Sequence, residues 1–317
     1  MPESIKNITV LMAVYNDSQY LKTSVTNILN QTFSDFEFLI IDDGSEDNPE
    51  EVMCGFSDSR INYKKIPHCG LAEALNYGLS ISGGDWIARI DADDLNTTER
   101  LKTEINFLNI NPEYDVISSS SVYFKDPANI LFSIKPPQED YMIKEFLNLH
   151  NPVNHSSVIF NKKKILDSGG YNNEFKSFED FELWFRLKDE LKFKILPEIL
   201  TYTRLRNNSM SKTGSKKEIH DLLSKNALQK INTSNSGQEK DLWRNIIFWV
   251  EYFYGEKANT RNYFNADISL KKSIAYINTF LPNKIFDEIR EYRIRQRLQS
   301  CFEGKKIYRE ELLKLLH

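Results

Sequence analysis

The sequence predicts an α/β protein, a mainly parallel sheet flanked by helices and followed by a helical C-terminal subdomain. Up to about residue 125, short β-branched runs alternate with amphipathic stretches, the pattern of βαβ units. From about Lys216 onward the periodicity is helical. With 317 residues, 40% of them hydrophobic and 12% aromatic, the chain is long and apolar enough to bury a large core.

Strands are predicted over Ile8 to Tyr15, Phe36 to Asp42, Ile61 to Ile66, Trp86 to Asp91 and Val116 to Phe124. Between them Tyr20 to Asn30, Pro49 to Phe56, Leu71 to Ile81 and Thr98 to Asn109 read as helices, the last capped by Asn96 or Thr97. Residues 126 to 215 are mixed. Pro136 and Pro137 break the chain, a strand is expected near Ser156 to Phe160, Gly169 to Tyr171 reads as a turn, and a helix follows from about Phe178 to Glu190. The stretch Arg206 to Ser215, RNNSMSKTGS, is polar and aperiodic and reads as a mobile loop of the kind that carries function. Turn signals at Ser234 to Gly237, Gly255, Pro282 and Gly304 divide the helical remainder. A catalytic domain over 1–215 and a helical subdomain over 216–317 are therefore expected.

Composition excludes several classes. A net charge of −4 argues against a general nucleic-acid binder, which presents a basic face. Cys54, Cys69 and Cys301 are odd in number and far apart, so they form neither a disulfide framework nor a zinc set, and a reducing cytoplasm fits. The start MPESIKN lacks the basic and long apolar regions of a signal peptide, and no apolar run reaches the roughly 18 residues of a membrane span. There is no GxGxxG, GxxxxGK[ST] or GxSxG. The histidines at 68, 150, 155, 220 and 317 show no close metal spacing and read as structural or exposed.

The sharpest motif is DADD, in which Asp91 ends a buried strand and Asp93 and Asp94 follow. Carboxylates this close repel unless a cation neutralises them, and Mg²⁺ takes one or two protein carboxylates while phosphate oxygens complete its shell. A solvated acidic loop is the bland alternative. Asp42 and Asp43, in IDDGS, stand at the end of another strand, where open α/β sheets bind ligands and where Asp-Gly-Ser also serves as simple turn chemistry. Tyr15 and Asn16 share that edge, and the tyrosine ring suits stacking on a base. In EDFELWFRL, Glu179 and Asp180 open a helix whose Phe181, Leu183, Trp184 and Leu187 face the core. One of the two acids is a candidate general base, although acids at a helix start also answer the macrodipole.

In order, VLMAVYN, YLKTSVTNILNQTFSDFEFLIIDDGSED, GLAEALNYGLSISGGDWIARIDADD and SFEDFELWFRL closely resemble family 2 of the inverting glycosyltransferases. The resemblance covers roughly residues 7 to 205. It implies the GT-A fold, a Rossmann-like mixed sheet, and transfer of a sugar from a nucleotide diphosphate donor, with a lean toward UDP, to a glycan or lipid-linked acceptor. It further implies that Tyr15 and Asp42 contact the base, that Asp91 meets the ribose or the metal, Mn²⁺ or Mg²⁺, and that Asp93 holds metal and diphosphate. Asp180 would be the catalytic base, with Asn16, Gly70 and Asn76 bordering the nucleotide. Many relatives carry Arg-x-His after the last strand, whereas Arg204, Leu205 and Arg206 stand here. Arg206 is then expected to pair with the diphosphate as a charge-assisted donor.

The mechanism expected is a single in-line displacement, with the 206–215 loop closing over the donor. Two rivals remain at this level: a non-catalytic nucleotide-sugar-binding protein, and an aspartyl-nucleophile phosphatase, whose motif Leu95 does not fit. The segment from Lys271 carries eleven Lys and Arg against six Asp and Glu. Its basic amphipathic stretch within 285–310 is read either as a peripheral membrane contact or as a packed helix or oligomer contact.

Overall fold

The computed structural model describes residues 7–126, 129–206 and 215–255. Its sheet is built from β1 (Ile8–Val14), β2 (Glu37–Asp42), β3 (Ile61–Lys65), β4 (Trp86–Asp91), β5 (Leu95–Asn96), β6 (Val116–Asp126), β7 (Asn129–Ile134), β8 (Ile159–Asn161) and β9 (Phe193–Arg204). The order is β3-β2-β1-β4-β8-β6-β9-β5, with β7 paired to β6. The first four sequence strands pair in parallel, in the register Val14 to Asp42 and Ala13 to Asp91. The ends of β1, β2 and β4 therefore reach one edge together. Beyond β4 the sheet becomes mixed, because β8 is antiparallel to both β4 and β6.

β1, β2 and β4 are near-continuous apolar runs because both faces are covered. On one face Leu11, Leu39 and Ile41 pack against α3 (Leu71–Ile81), where Gly78 lets the helix approach; a Cβ there would lie 2.5 Å from the Leu11 side chain. α5 (Asp140–Leu147) and α7 (Glu179–Leu187) extend this layer. On the other face Val10, Met12, Phe38 and Ile40 meet α1 (Ser18–Leu29) and α4 (Arg100–Ile110). The short helices α2 (Pro49–Met53) and α6 (Lys162–Asp167) lie between strands in the chain order.

One departure from the sequence reading concerns a helix start. The cap expected at Asn96 or Thr97 is absent: Glu99 precedes α4, and Asn96 lies in β5, where its Oδ1 accepts from Arg100 Nη1 at 2.7 Å. The helices α8 (Lys217–Thr233) and α9 (Gly237–Tyr254) do not form a core of their own among the described residues. Ile219, Leu223, Trp243 and Val250 bury into the same cluster as Leu11 and Trp184. At about 1.5–3 kcal/mol per buried large apolar side chain, these contacts tie α8 and α9 to the sheet. Of the loop expected at 206–215, residues 207–214 lie outside the described residues, as does the basic stretch 285–310.

Candidate active site

A cleft of about 600 Å³ opens at the edge where β1, β2 and β4 end. Tyr15, Asn16, Gly70, Asp91, Asp93 and Arg206, all expected site residues, line it, together with Asp17, Asp43 and His68. A second wall comes from Asn173, Phe175 and Lys176. Asp42, Asn76 and Asp180 are outside the lining.

Asp42 is fully buried. Its Oδ1 accepts the Ser45 N–H at 2.8 Å and its Oδ2 the Tyr63 hydroxyl at 2.6 Å, so it shapes the turn rather than the cleft surface. Its neighbour Asp43 stands in the lining and accepts from the N–H groups of Cys69 at 2.7 Å and Gly70 at 3.0 Å. Gly70 has φ +98°, a backbone that glycine adopts without strain. Asp43 also lies 3.0 Å from His68 Nδ1, and the His68 ring stacks on Tyr15 with centroids 4.1 Å apart and planes within 17°. His68, read from sequence as structural or exposed, is thus part of the same aromatic shelf as Tyr15. Asn16, at φ +54°, accepts the Glu46 N–H and donates its own N–H to Ser45, locking β1 to the DGS turn.

The floor is DADD. Its backbone and the residues that follow are held by Ser24 and Asn27 of α1 and by Gln31 just beyond the helix: Ser24 donates to the Asp94 carbonyl, Asn27 to that of Asn96 and Gln31 to that of Thr97. Arg100, 1% exposed, donates to the carbonyls of Arg89 and Ser156 and pairs with Glu104 at 3.2 Å, fixing β4 beneath the motif. Asp94 is buried and accepts the Arg204 N–H at 2.6 Å, a structural role. Asp91 is half-exposed and meets Arg89 Nη2 at 2.6 Å. Asp93 is 8% exposed and meets Arg206 Nε at 2.8 Å. Burial, and then the charge of Asp91, push Asp93 up to about 7.

Among the described residues no three or more His, Cys, Asp or Glu groups converge as a ready-made metal cage. Two hard carboxylate donors beside an open cleft nevertheless fit a cation that takes its other ligands from phosphate and water. Besides burial, the charge of Asp91 works against ionised Asp93, a repulsion that such a cation would relieve.

Asp180 lies in the field of Arg89 and Asp91, although it is outside the cleft lining. Burial raises it to about 6, against the pull of the Phe181 N–H and Arg89. Glu179 is held further above the carboxylate range by burial and by Asp180, and sits 3.6 Å from His155 Nδ1. His155 in turn meets the Tyr171 hydroxyl at 2.8 Å and is kept neutral by burial and Arg89. The pair is presented by Phe178 at φ +63°, a strained conformation for a bulky residue that costs about 1–3 kcal/mol and is held by packing on Tyr254 of α9. Asn76 anchors the second wall from behind: its amide makes two hydrogen bonds of 2.8 Å to the Tyr171 backbone.

Sequence reasoning missed Asp17, His68 and Arg89. The only local signal for Asp17 is its place after Asn16 at a strand end, and for Arg89 a charge inside an apolar strand.

The sequence profile described as "Glycosyl transferase family 2" matches residues 9–170. An uncharacterized glycosyltransferase of Methanocaldococcus jannaschii is 31% identical over 259 residues, 78% of this chain and 85% of that protein. The UDP-Gal:alpha-D-GlcNAc-diphosphoundecaprenol beta-1,3-galactosyltransferase of Escherichia coli is 31% identical over 192 residues, 59% and 69% of the two chains. Among solved structures, the mannosyltransferase PcManGT of Pyrobaculum calidifontis, in complex with GDP-Man and Mn²⁺, superposes with a TM-score of 0.57 at 13% identity, covering 94% of this chain and 88% of that one. The shared architecture is the GT-A fold.

Proposed function

Because the chain belongs to glycosyl transferase family 2, we propose that it moves a sugar from a UDP-type donor to a hydroxyl of a glycan or lipid-linked saccharide, inverting the anomeric carbon. The observation that carries this reading is the convergence of Tyr15, Asp91, Asp93 and Arg206 on one cleft, with Asp180 within electrostatic reach of Asp91. The galactosyltransferase relative, whose name pairs UDP-Gal with a diphosphoundecaprenol acceptor, supports the donor and acceptor classes.

Tyr15 and His68 offer the base an aromatic face, and Asn16 and Gly70 border the nucleotide from the adjoining turns. Asp42 and Asn76 act indirectly, by holding the turn and the second wall. Asp91 and Asp93 would hold Mn²⁺ or Mg²⁺, whose charge would stabilise the departing diphosphate; the mannosyltransferase solved with Mn²⁺ supports this assignment. Arg206 faces the same oxygens as a charge-assisted donor. Asp180, raised by burial toward neutral pH but ionised above about 6, takes the proton of the incoming hydroxyl.

The test is a screen of nucleotide sugars for release of nucleotide diphosphate in the presence and absence of chelator, followed by Asp180→Asn. That variant should bind donor normally and transfer roughly 10² to 10⁴-fold more slowly. Full turnover in excess chelator would remove the metal from this reading, and normal transfer by Asp180→Asn would remove the base.

A further inference from the structure

Arg206, two residues beyond the end of β9, reaches across the cleft to two acids from different loops. Its Nη1 and Nη2 pair with the two oxygens of Asp17, the second at 3.0 Å, while its Nε faces Asp93 Oδ2 at 2.8 Å. Asp17 precedes α1, where an aspartate ordinarily caps the helix, yet its side chain makes no capping bond; the Ser18 N–H donates to Asp47 at 2.8 Å. Both Asp17 oxygens are thereby given to Arg206. The guanidinium is further steadied over the Tyr20 ring, 5.5 Å from its centroid.

We propose that Arg206 is the counter-cation of Asp93, occupying it until a divalent ion displaces it, and that Asp17 is the positioning residue that then keeps it beside the donor's diphosphate. The inference rests on the assignment of Asp93 as a cation ligand. A guanidinium nitrogen 2.8 Å from the Asp93 oxygen places positive charge where a divalent ion would sit, so the two cations compete for one carboxylate. Asp91 has its own partner in the buried Arg89, which faces it from the strand side and does not block the cleft. Asp17 is the asymmetric element: it holds Arg206 by a two-point contact that survives loss of Asp93, so displacement turns the arginine without releasing it.

The experiment is Mn²⁺ binding to the full chain without donor, read from the free-ion signal in electron paramagnetic resonance, on the wild type, Arg206→Met, Arg206→Lys, Asp17→Asn and Asp93→Asn. Arg206→Met should bind Mn²⁺ about tenfold tighter than wild type, Arg206→Lys close to wild type, and Asp93→Asn much more weakly. Asp17→Asn should bind Mn²⁺ at least as well as wild type but bind UDP in the presence of Mn²⁺ about tenfold more weakly. Equal Mn²⁺ affinity in wild type and Arg206→Met, with Asp93→Asn still weak, overturns the competition while sparing the metal reading. No binding by any form, up to millimolar Mn²⁺, overturns the metal reading and this inference with it. Unchanged UDP affinity in Asp17→Asn overturns the role given to Asp17.

Discussion

The side-chain amide of Asn151 donates to Asp180 Oδ2 at 2.8 Å, and the Phe181 N–H donates to Oδ1 at the same distance. Both bonds favour the ionised carboxylate and offset part of the burial that raises it. Glu179, one residue earlier, lies deeper and is held higher, so Asp180 is the member of the pair suited to accept a proton near neutrality.

Transfer should accordingly rise with pH through about 6, the protonated Asp180 below that being unable to take the hydroxyl proton. Arg89 lowers Asp180, so Arg89→Met should move this acid limb to higher pH, while Asn151→Ala, which removes a donor to the carboxylate, should do the same to a smaller extent. The pH dependence of kcat/KM checks both; an unmoved limb in Arg89→Met would separate the two groups.

Asp93 should make the metal-free protein less stable as pH rises. Its folded value of about 7 lies above the unfolded value near 3.9, so the folded state binds the extra proton between them. The contribution is full below the unfolded value and is lost as pH rises through about 7. In EDTA, wild type should lose on the order of 2–4 kcal/mol more than Asp93→Asn between pH 4 and 8, and Mg²⁺ should recover part of the difference at the upper end. Urea midpoints at the two pH values provide the measurement.

Arg100 and Glu104 are both buried, at 1% and 0% exposed, and burial raises Glu104 to about 7. Arg100→Met strands that carboxylate and leaves the carbonyls of Arg89 and Ser156 without a donor, which should cost about 3–5 kcal/mol. Replacing both as Arg100→Met with Glu104→Leu should regain much of the loss. Chemical denaturation of the single and double variants tests this.

Asn76→Ala should weaken the donor site without unfolding the protein. The lost clamp on Tyr171 loosens the segment that carries Asn173, Phe175 and Lys176 into the cleft, and a donor KM raised by about tenfold corresponds to roughly 1.4 kcal/mol of lost positioning. Gly170→Ala should act alike, because its φ is +74° and a Cβ would fall 2.4 Å from Asn76 Oδ1. A kcat that falls with an unchanged KM would point to α7 instead.

What the sequence determined by itself is what contiguous residues encode. The apolar runs ending in Asp42 and Asp91, the helical spacing of α1 and α3 and the Glu179–Asp180 helix start are local patterns, and the expected strands β1 to β4 stand within a residue of their places. Only the tertiary structure decided which acids face the cleft. Asp42 ends β2 and Asp43 follows it; the Tyr63 hydroxyl on β3 donates to the first in the interior while the Cys69 and Gly70 amides donate to the second at the cleft. The stacking of His68 on Tyr15 and the pairing of Arg206 with Asp17, 189 residues apart, have no local signature at all. A strand near Ser156 to Phe160 is legible in the sequence, but the insertion of β8 antiparallel between β4 and β6 is not. Such contacts form because the sheet brings distant strand ends together, where ion pairing and desolvation select partners that spacing along the chain does not specify.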